Sequence, residues 1–402
     1  MFEKYANFFW KLMLYGWVVF PASSYLLPNV QAWKNIFYAV ILLPFLVLLP
    51  CIWRKLIRLD NPIFIVSFLM AVYLWITTFW SYTSPEYIVF FFKQLVYVFV
   101  YLSVGFLLVE KYPHAIDWAI KLIVAFGFIS LTLAIFYYTQ TVTGNGLTAE
   151  GWLYRFEGVG MIKNPIVAAQ HYGLLSLVAI YCFTTNKQIL IRVVLIVIAL
   201  LAIFSVYWTR SRGPSLYLPI SLLLLVFLSE DKLRKKFLTV FFIVLSVLTL
   251  LLLVFPTWRQ ALFSRDFSIS RRMDIWTSLI DEASTSFLFG VGARKIMDVE
   301  SLGVTYHHAH SSFVEMFYYG GVVALFLLFV CIFTVYWKSF KLKENALLIP
   351  WFSYGLLCLA TNGYYLLSRP GWQWLMFWIP IAFIIVCHHR NSMNNNPEQT
   401  ET

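Results

Sequence analysis

Apolar runs too long for soluble helices follow one another along most of this chain. One of them, "ILIRVVLIVIALLAIFSVYW" (189–208), carries a single charge in twenty residues. A hydrocarbon core about 30 Å thick is crossed by a helix of about 20 residues. Such a helix satisfies its own backbone hydrogen bonds, which lipid cannot do. The strict apolar–polar alternation of a barrel strand is missing from these runs. Composition agrees: 61% of the 402 residues are hydrophobic and 12% are charged, about half the charge of a soluble domain. The chain therefore reads as an all-α polytopic membrane protein of about twelve transmembrane helices. They are placed near 8–27, 35–53, 62–80, 87–109, 118–141, 165–184, 188–208, 214–229, 237–256, 312–335, 346–361 and 372–387.

The formal net charge of +11 does not point to nucleic acid. The lysines and arginines lie between spans, so anionic membrane lipid is their natural partner. The five cysteines, Cys51, Cys182, Cys331, Cys358 and Cys387, sit in or beside apolar runs without paired spacing. Neither a disulfide framework nor a zinc site is indicated. The first apolar run contains Lys11 and lacks a cleavage site, so it is read as a retained helix.

Three connections, "RKLIR" (54–58), "SEDKLRKK" (229–236) and "WKSFKLKEN" (337–345), are short and lysine-rich. The positive-inside rule assigns them to the cytoplasm, and alternation then puts both termini there. A membrane domain is expected over 1–389, with a polar, disordered cytoplasmic tail over 390–402. Two longer connections, about 142–164 and 257–311, fall on the outer, periplasmic side and are expected to carry short helices. The basic residues of the outer side are mainly arginine: Arg155, Arg210, Arg212, Arg259, Arg265, Arg271, Arg272 and Arg294. The charge rule disfavours that placement. A phosphorylated partner explains it, because guanidinium binds phosphate oxygens in pairs and keeps its charge.

Four stretches carry candidate chemistry. In "YWTRSRGPSLYLP" (207–219), Arg210 and Arg212 are two apart and would diverge by about 200° on a helix. At most one then faces a common pocket, and Gly213-Pro214 is read as a chain break that starts the next helix. Interfacial snorkelling of both arginines is the alternative. In "RRMDIWTSLIDEA" (271–283), Arg271 and Arg272 open a helix at its positive end. That costs stability unless an anion docks there, and a surface helix charge-balanced by Asp274 and Asp281 is the alternative. In "TYHHAHSSFVEMFYYGG" (305–321), three imidazoles precede a span. His307, His308 and His310 are poorly spaced for tetrahedral zinc. The open readings are a polar edge with Ser311 and Ser312 as N-caps, or a general base. In "EGWLYRFEGVGMIKNPIVAAQHYG" (150–173), Asn164-Pro165 starts a helix. Arg155, Lys163 and the intramembrane His171 can approach one cavity, or His171 is satisfied by backbone. No P-loop and no paired-aspartate motif occur, so no cofactor or metal is assigned.

Taken in order, "TRSRGP", "SRRMDIW…FGVG" and "HAHSSFVEMFYYGG" resemble the O-antigen ligase family, which shares a core region with O-antigen polymerases. The specific motifs span roughly 150–325, and the N-terminal third is similar only in its spans. The family's GxxxNPN-like segment resembles Gly158 to Pro165. Its SRG arginine falls on Arg212, its arginine four before a tryptophan on Arg272, and its HN histidine on His310. Ser311 stands where an asparagine usually follows the histidine, and Glu315 where a glutamine is usual. Near Tyr319, the glutamate that usually precedes the glycine is replaced. The resemblance implies a metal-independent inverting glycosyltransferase of the inner membrane with a periplasmic site, acting in lipopolysaccharide biosynthesis. Its donor would be a glycan on undecaprenyl diphosphate and its acceptor lipid A–core. Arg212 and Arg272 would hold the departing diphosphate, and His310 would deprotonate the acceptor hydroxyl. Arg210, Arg265, Arg271, Arg155, Lys163, Asn164, His308 and Ser311 form the wider expected binding set. The alternatives are an O-antigen polymerase, a protein O-oligosaccharyltransferase and, from another class, a lipid-linked glycan flippase or transporter.

Overall fold

The computed structural model describes residues 2–57, 60–81, 85–144, 154–229, 242, 246, 250, 253–254, 269–293, 297–301, 304–342 and 345–395. Among the described residues, nine α-helices occupy the first part: α1 (Phe2–Ser23), α2 (Val30–Phe37), α3 (Leu43–Ile57), α4 (Pro62–Ile76), α5 (Glu86–Lys111), α6 (Ala115–Gly144), α7 (Pro165–Thr185), α8 (Ile189–Trp208) and α9 (Arg212–Leu228). A π-helical stretch, Tyr38–Leu42, joins α2 to α3. Then follow α10 (Ile269–Ser284), a hairpin of β1 (Val299–Ser301) and β2 (Val304–Tyr306), α11 (Ser312–Ser339), α12 (Asn345–Thr361), α13 (Trp372–Met376) and α14 (Trp378–Asn395). Among the described residues, seven helical stretches are long and apolar enough to cross a membrane, and Arg212–Leu228 and Ala346–Thr361 are shorter apolar helices. The span expected over 237–256 lies largely outside the described residues. Residues 390–395 are helical where a disordered tail is expected. There the Arg390 guanidinium reaches the Pro113 carbonyl at 3.1 Å, and the Ser392 hydroxyl bonds back to His388 O at 3.1 Å, so this turn is held.

The middle of the bundle is α7, buried without interruption from Val167 to Ile180. Its small residues allow this, because without a hydrophobic driving force membrane helices gain from close van der Waals approach. Gly173 faces the Tyr354 hydroxyl so closely that a Cβ would collide with it. That hydroxyl donates to Ala169 O at 3.1 Å. His171, on the same helix, is fully buried; its Nδ1 lies 2.9 Å from Val167 O, and Tyr25 Oη donates to its carbonyl at 2.8 Å. The imidazole is thus tied to its own helix through Nδ1.

One end of the bundle is closed by a polar knot of Glu110 with Lys55 and His389, and of Asn61 with His388. The opposite end carries the site. There α11 is broken at Gly321, whose backbone takes φ 65° and ψ −161°. The segment 286–293, after α10, enters this break and supplies what the helix loses. Val291 and Gly292 N–H donate to Tyr318 and Tyr319 O at 2.9 and 3.0 Å, and Val322 and Val323 N–H donate to Phe287 and Leu288 O at 3.0 and 3.2 Å. Ala293 N–H donates to Thr77 O at the end of α4. Gly290 and Gly321 are required here: each has positive φ, and a Cβ on either would strike the other segment's backbone. "FGVG" and "YYGG" are therefore two halves of one joint. The joint itself is buried at Gly320, Gly321 and residues 290–293, as irregular backbone inside a span has to be.

Candidate active site

Four segments meet at this end: the start of α9, the first turn of α10, the turn before α11, and residues 361–365 at the end of α12. The turn before α11 is shaped first. Ser311 is the N-cap of α11, its hydroxyl accepting from Val314 N–H at 3.4 Å. His310, just before it, takes φ 53°, a left-handed conformation unusual for a residue with a side chain. Glu315 lies buried one turn into the helix, and its carboxylate reaches back to Ala309 N–H at 3.2 Å. It also accepts from Tyr365 N–H. Trp276 Nε1–H donates to Ala309 O at 2.8 Å, so α10 is fastened to the same turn.

Arg272 sits one helical turn before Trp276 on α10, and residues four apart share a face. Its half-buried guanidinium is close enough to His310 to disfavour protonation of the imidazole. Burial lowers the pKa of Arg272 itself, and Tyr217 partly offsets this. Tyr217 links α9 to the rest, since its hydroxyl donates to Thr361 Oγ1 at 3.2 Å. A Cβ on Gly213, next to Arg212, would meet Thr361 Oγ1 and the Tyr217 ring at 3.1 Å. Arg212 is the first residue of α9 and is exposed.

The electrostatics of His310 are set mainly by burial, then by His308 and Arg272; together they push its pKa down to about 4 against the Asn362 side chain, which raises it by accepting from the ring. The imidazole is accordingly neutral at neutral pH. The rings of His308 and His310 meet edge to face with centroids 3.8 Å apart, and His308 packs the same way on Tyr364 at 4.8 Å. Burial also lowers the pKa of His308. His307 points elsewhere, its Nδ1 lying 2.9 Å from Asp298 Oδ1 with both side chains exposed.

The other expected residues are placed as follows. Arg210 is not on a helix; it turns the chain between α8 and α9 at φ 53°, so helical phase does not relate it to Arg212. It lies near Tyr138 of α6. Gly213-Pro214 starts the next helix as expected, lying in the first turn of α9, whose first bond is Ser215 N–H to Ser211 O; the break itself falls just before, at residues 209–211, and proline costs nothing in a first turn because an N–H there has no helical acceptor. Arg155 donates from Nε to Thr209 O at 2.8 Å and from Nη2 to Ser211 Oγ at 3.1 Å. Asn164 caps α7, its Oδ1 accepting from Ile166 and Val167 N–H at 2.9 and 3.4 Å. Lys163 is exposed. The backbone of Arg271 lies beside Arg272 in α10, whereas Arg265 lies outside the described residues. Thr361, Asn362, Tyr364 and Tyr217 have no counterpart among the expected residues. "TNGYY" reads locally as a turn after an apolar run, and nothing in it announces the histidine across the fold.

The architecture and this polar end define a polytopic, helical membrane protein with a basic, imidazole-bearing site at one end of the bundle. Two comparisons narrow the class. A family model described as O-Antigen ligase matches residues 197–329, which contain α9, α10, the histidine turn and the break in α11. An O-antigen ligase of Pseudomonas aeruginosa (strain PAO1) is 25% identical over 382 residues, covering 93% of this chain and 90% of that protein. Both support the O-antigen ligase family for this chain.

Proposed function

We propose that this protein is an O-antigen ligase: a glycosyltransferase that moves a glycan from undecaprenyl diphosphate to lipid A–core on the periplasmic side of the inner membrane. The observation that carries the reading is the adjacency of Arg272 and neutral His310, fastened together by the Trp276–Ala309 hydrogen bond. The two groups have complementary tasks. Arg272, with Arg212 at the start of α9, holds the diphosphate and stabilises charge as it leaves; half-burial strengthens that interaction relative to water. His310 takes the proton of the acceptor hydroxyl, the oxygen forms the new bond to the anomeric carbon, and the bond to the diphosphate oxygen breaks with its electron pair. One in-line displacement inverts the anomeric centre. No step calls for a metal or another cofactor. Arg155 and Asn164 act by holding backbone in place, and Ser311 by capping α11.

A deletion strain tests the assignment through its lipopolysaccharide profile. A ligase leaves long lipid-linked chains and bare core. A single repeat on core indicates a polymerase instead, and intact long-chain lipopolysaccharide removes both. Treatment of the purified enzyme with EDTA checks the metal-free chemistry: activity is expected to persist, and loss restored by one divalent ion overturns it.

A further inference from the structure

Residues 361–365 are bound to the histidine turn at several independent points. Ser312 Oγ donates to Tyr364 O at 2.6 Å. Glu315 accepts from Ala309 N–H on one segment and Tyr365 N–H on the other. The Tyr364 ring supports that of His308. Gly363 is pressed so closely on Ser312 that a Cβ would collide with its hydroxyl. Asn362 lies within this contact, its side chain near enough to His310 to act on the imidazole. Its own N–H is held by Cys358 O at 2.9 Å, as the end of α12 requires.

We propose that Asn362 is the positioning residue of the base: its Oδ1 accepts the N–H of one ring nitrogen of His310 and so leaves the other nitrogen bare toward the acceptor hydroxyl. The inference rests on His310 being the base. A neutral imidazole has one donor and one acceptor nitrogen, and the partner of the first decides which is which. A base oriented by a third group is a recurrent arrangement in catalytic sites. An amide suits this site better than a carboxylate. It fixes the ring without adding negative charge, which would favour imidazolium and would compete with the diphosphate for Arg272. The ionisable groups around His310 are His308 in the same turn, Arg272 on α10, Tyr306 on β2, and Tyr364 beside Asn362; Glu315 lies beneath, spent on backbone N–H groups.

The test compares Asn362→Ala, Asn362→Asp and His310→Ala in the purified full-length protein, with a synthetic polyprenyl-diphosphate glycan and core acceptor across pH. Asn362→Ala is expected to lower kcat on the order of 10²-fold, within the range of a general-base contribution, with the donor KM little changed. Asn362→Asp keeps the acceptor oxygen and adds charge, so it is expected to keep more activity at high pH while its acidic limb moves up by about one pH unit or more. Asn362→Ala combined with His310→Ala should be no worse than His310→Ala. If His310→Ala is inactive but Asn362→Asp leaves the acidic limb where it was, the orienting role is wrong and Asn362 only packs. If Asn362→Ala mainly raises the donor KM, it is wrong in the same way. If His310→Ala stays active, the base itself is misassigned, whichever way Asn362 behaves.

Discussion

Two connections, 142–164 and 257–311, look alike as sequence: both are long, and both bring arginine to the outer ends of spans. Their polar atoms are used differently. In the first, Arg155 is committed to Thr209 O and Ser211 Oγ, and Asn164 to the N–H groups of α7. In the second, the indole of Trp276 takes up the backbone bond, and Arg272 one turn earlier is left beside an imidazole. The difference teaches that an outer arginine is informative only when its backbone obligations are known. The first connection is a brace under the turn that starts α9; the second carries the groups proposed to react.

Substitutions can break or sharpen that contrast. The largest effect is expected in the second connection: His310→Ala should cost about 10²- to 10⁴-fold in kcat, with normal expression, while His308→Ala keeps far more activity. The reverse ranking in the same assay would move the base to His308. Next, Arg272→Lys and Arg212→Lys should each lose about 10²-fold, close to their alanine variants, because lysine offers charge without the paired fork. Arg210→Lys should be milder, and near-wild-type turnover in both lysine variants would leave these arginines as membrane anchors. The pH profile follows from the depressed pKa of His310. A base works deprotonated, so its acidic limb in kcat/KM is expected below the ordinary imidazole value of about 6.5. The limb in kcat should lie higher, since bound diphosphate favours the imidazolium. A kcat/KM limb at or above 6.5 contradicts this environment.

The brace should respond in stability and not in chemistry. Arg155→Ala strands Thr209 O and leaves Ser211 Oγ with only Pro165 O, and is expected to cost about 1–3 kcal/mol, read as a lower melting temperature with donor KM retained. Asn164→Ala removes a cap worth ~1 kcal/mol and gives the smallest shift. A large loss of donor affinity in either variant, without destabilisation, would place the first connection in the binding surface after all.

Much of the bundle is legible in the sequence because a span announces itself within twenty residues. α8 and α11 start close to where their runs begin, and Asn164-Pro165 marks the start of α7 by its capping chemistry alone. Motif order singles out Arg272 and His310, and the structure sets the two near each other. What the sequence hides is any relation between distant residues of ordinary type. "NGYY" gives no sign that Asn362 reaches His310, because the same letters make a surface turn elsewhere. "FGVG" and "YYGG" are visible as glycine pairs, yet their fit depends on two segments about thirty residues apart. The helical-phase argument for Arg210 and Arg212 fails for a local reason: it presumes a helix where Arg210 is left-handed.

The broken α11 has a consequence for how the molecule is built. A continuous span completes its backbone hydrogen bonds as it forms, before it has neighbours. Around Gly320 and Gly321 the peptide groups instead rely on residues 287–292, and the next residue, Ala293, in turn leans on Thr77 at the end of α4, synthesised far earlier. Insertion of α11 into the bilayer and closure of its hydrogen bonds are therefore separate events. The second draws together parts of the chain made at different times, and seats the helix bearing Arg272 against the one that follows His310.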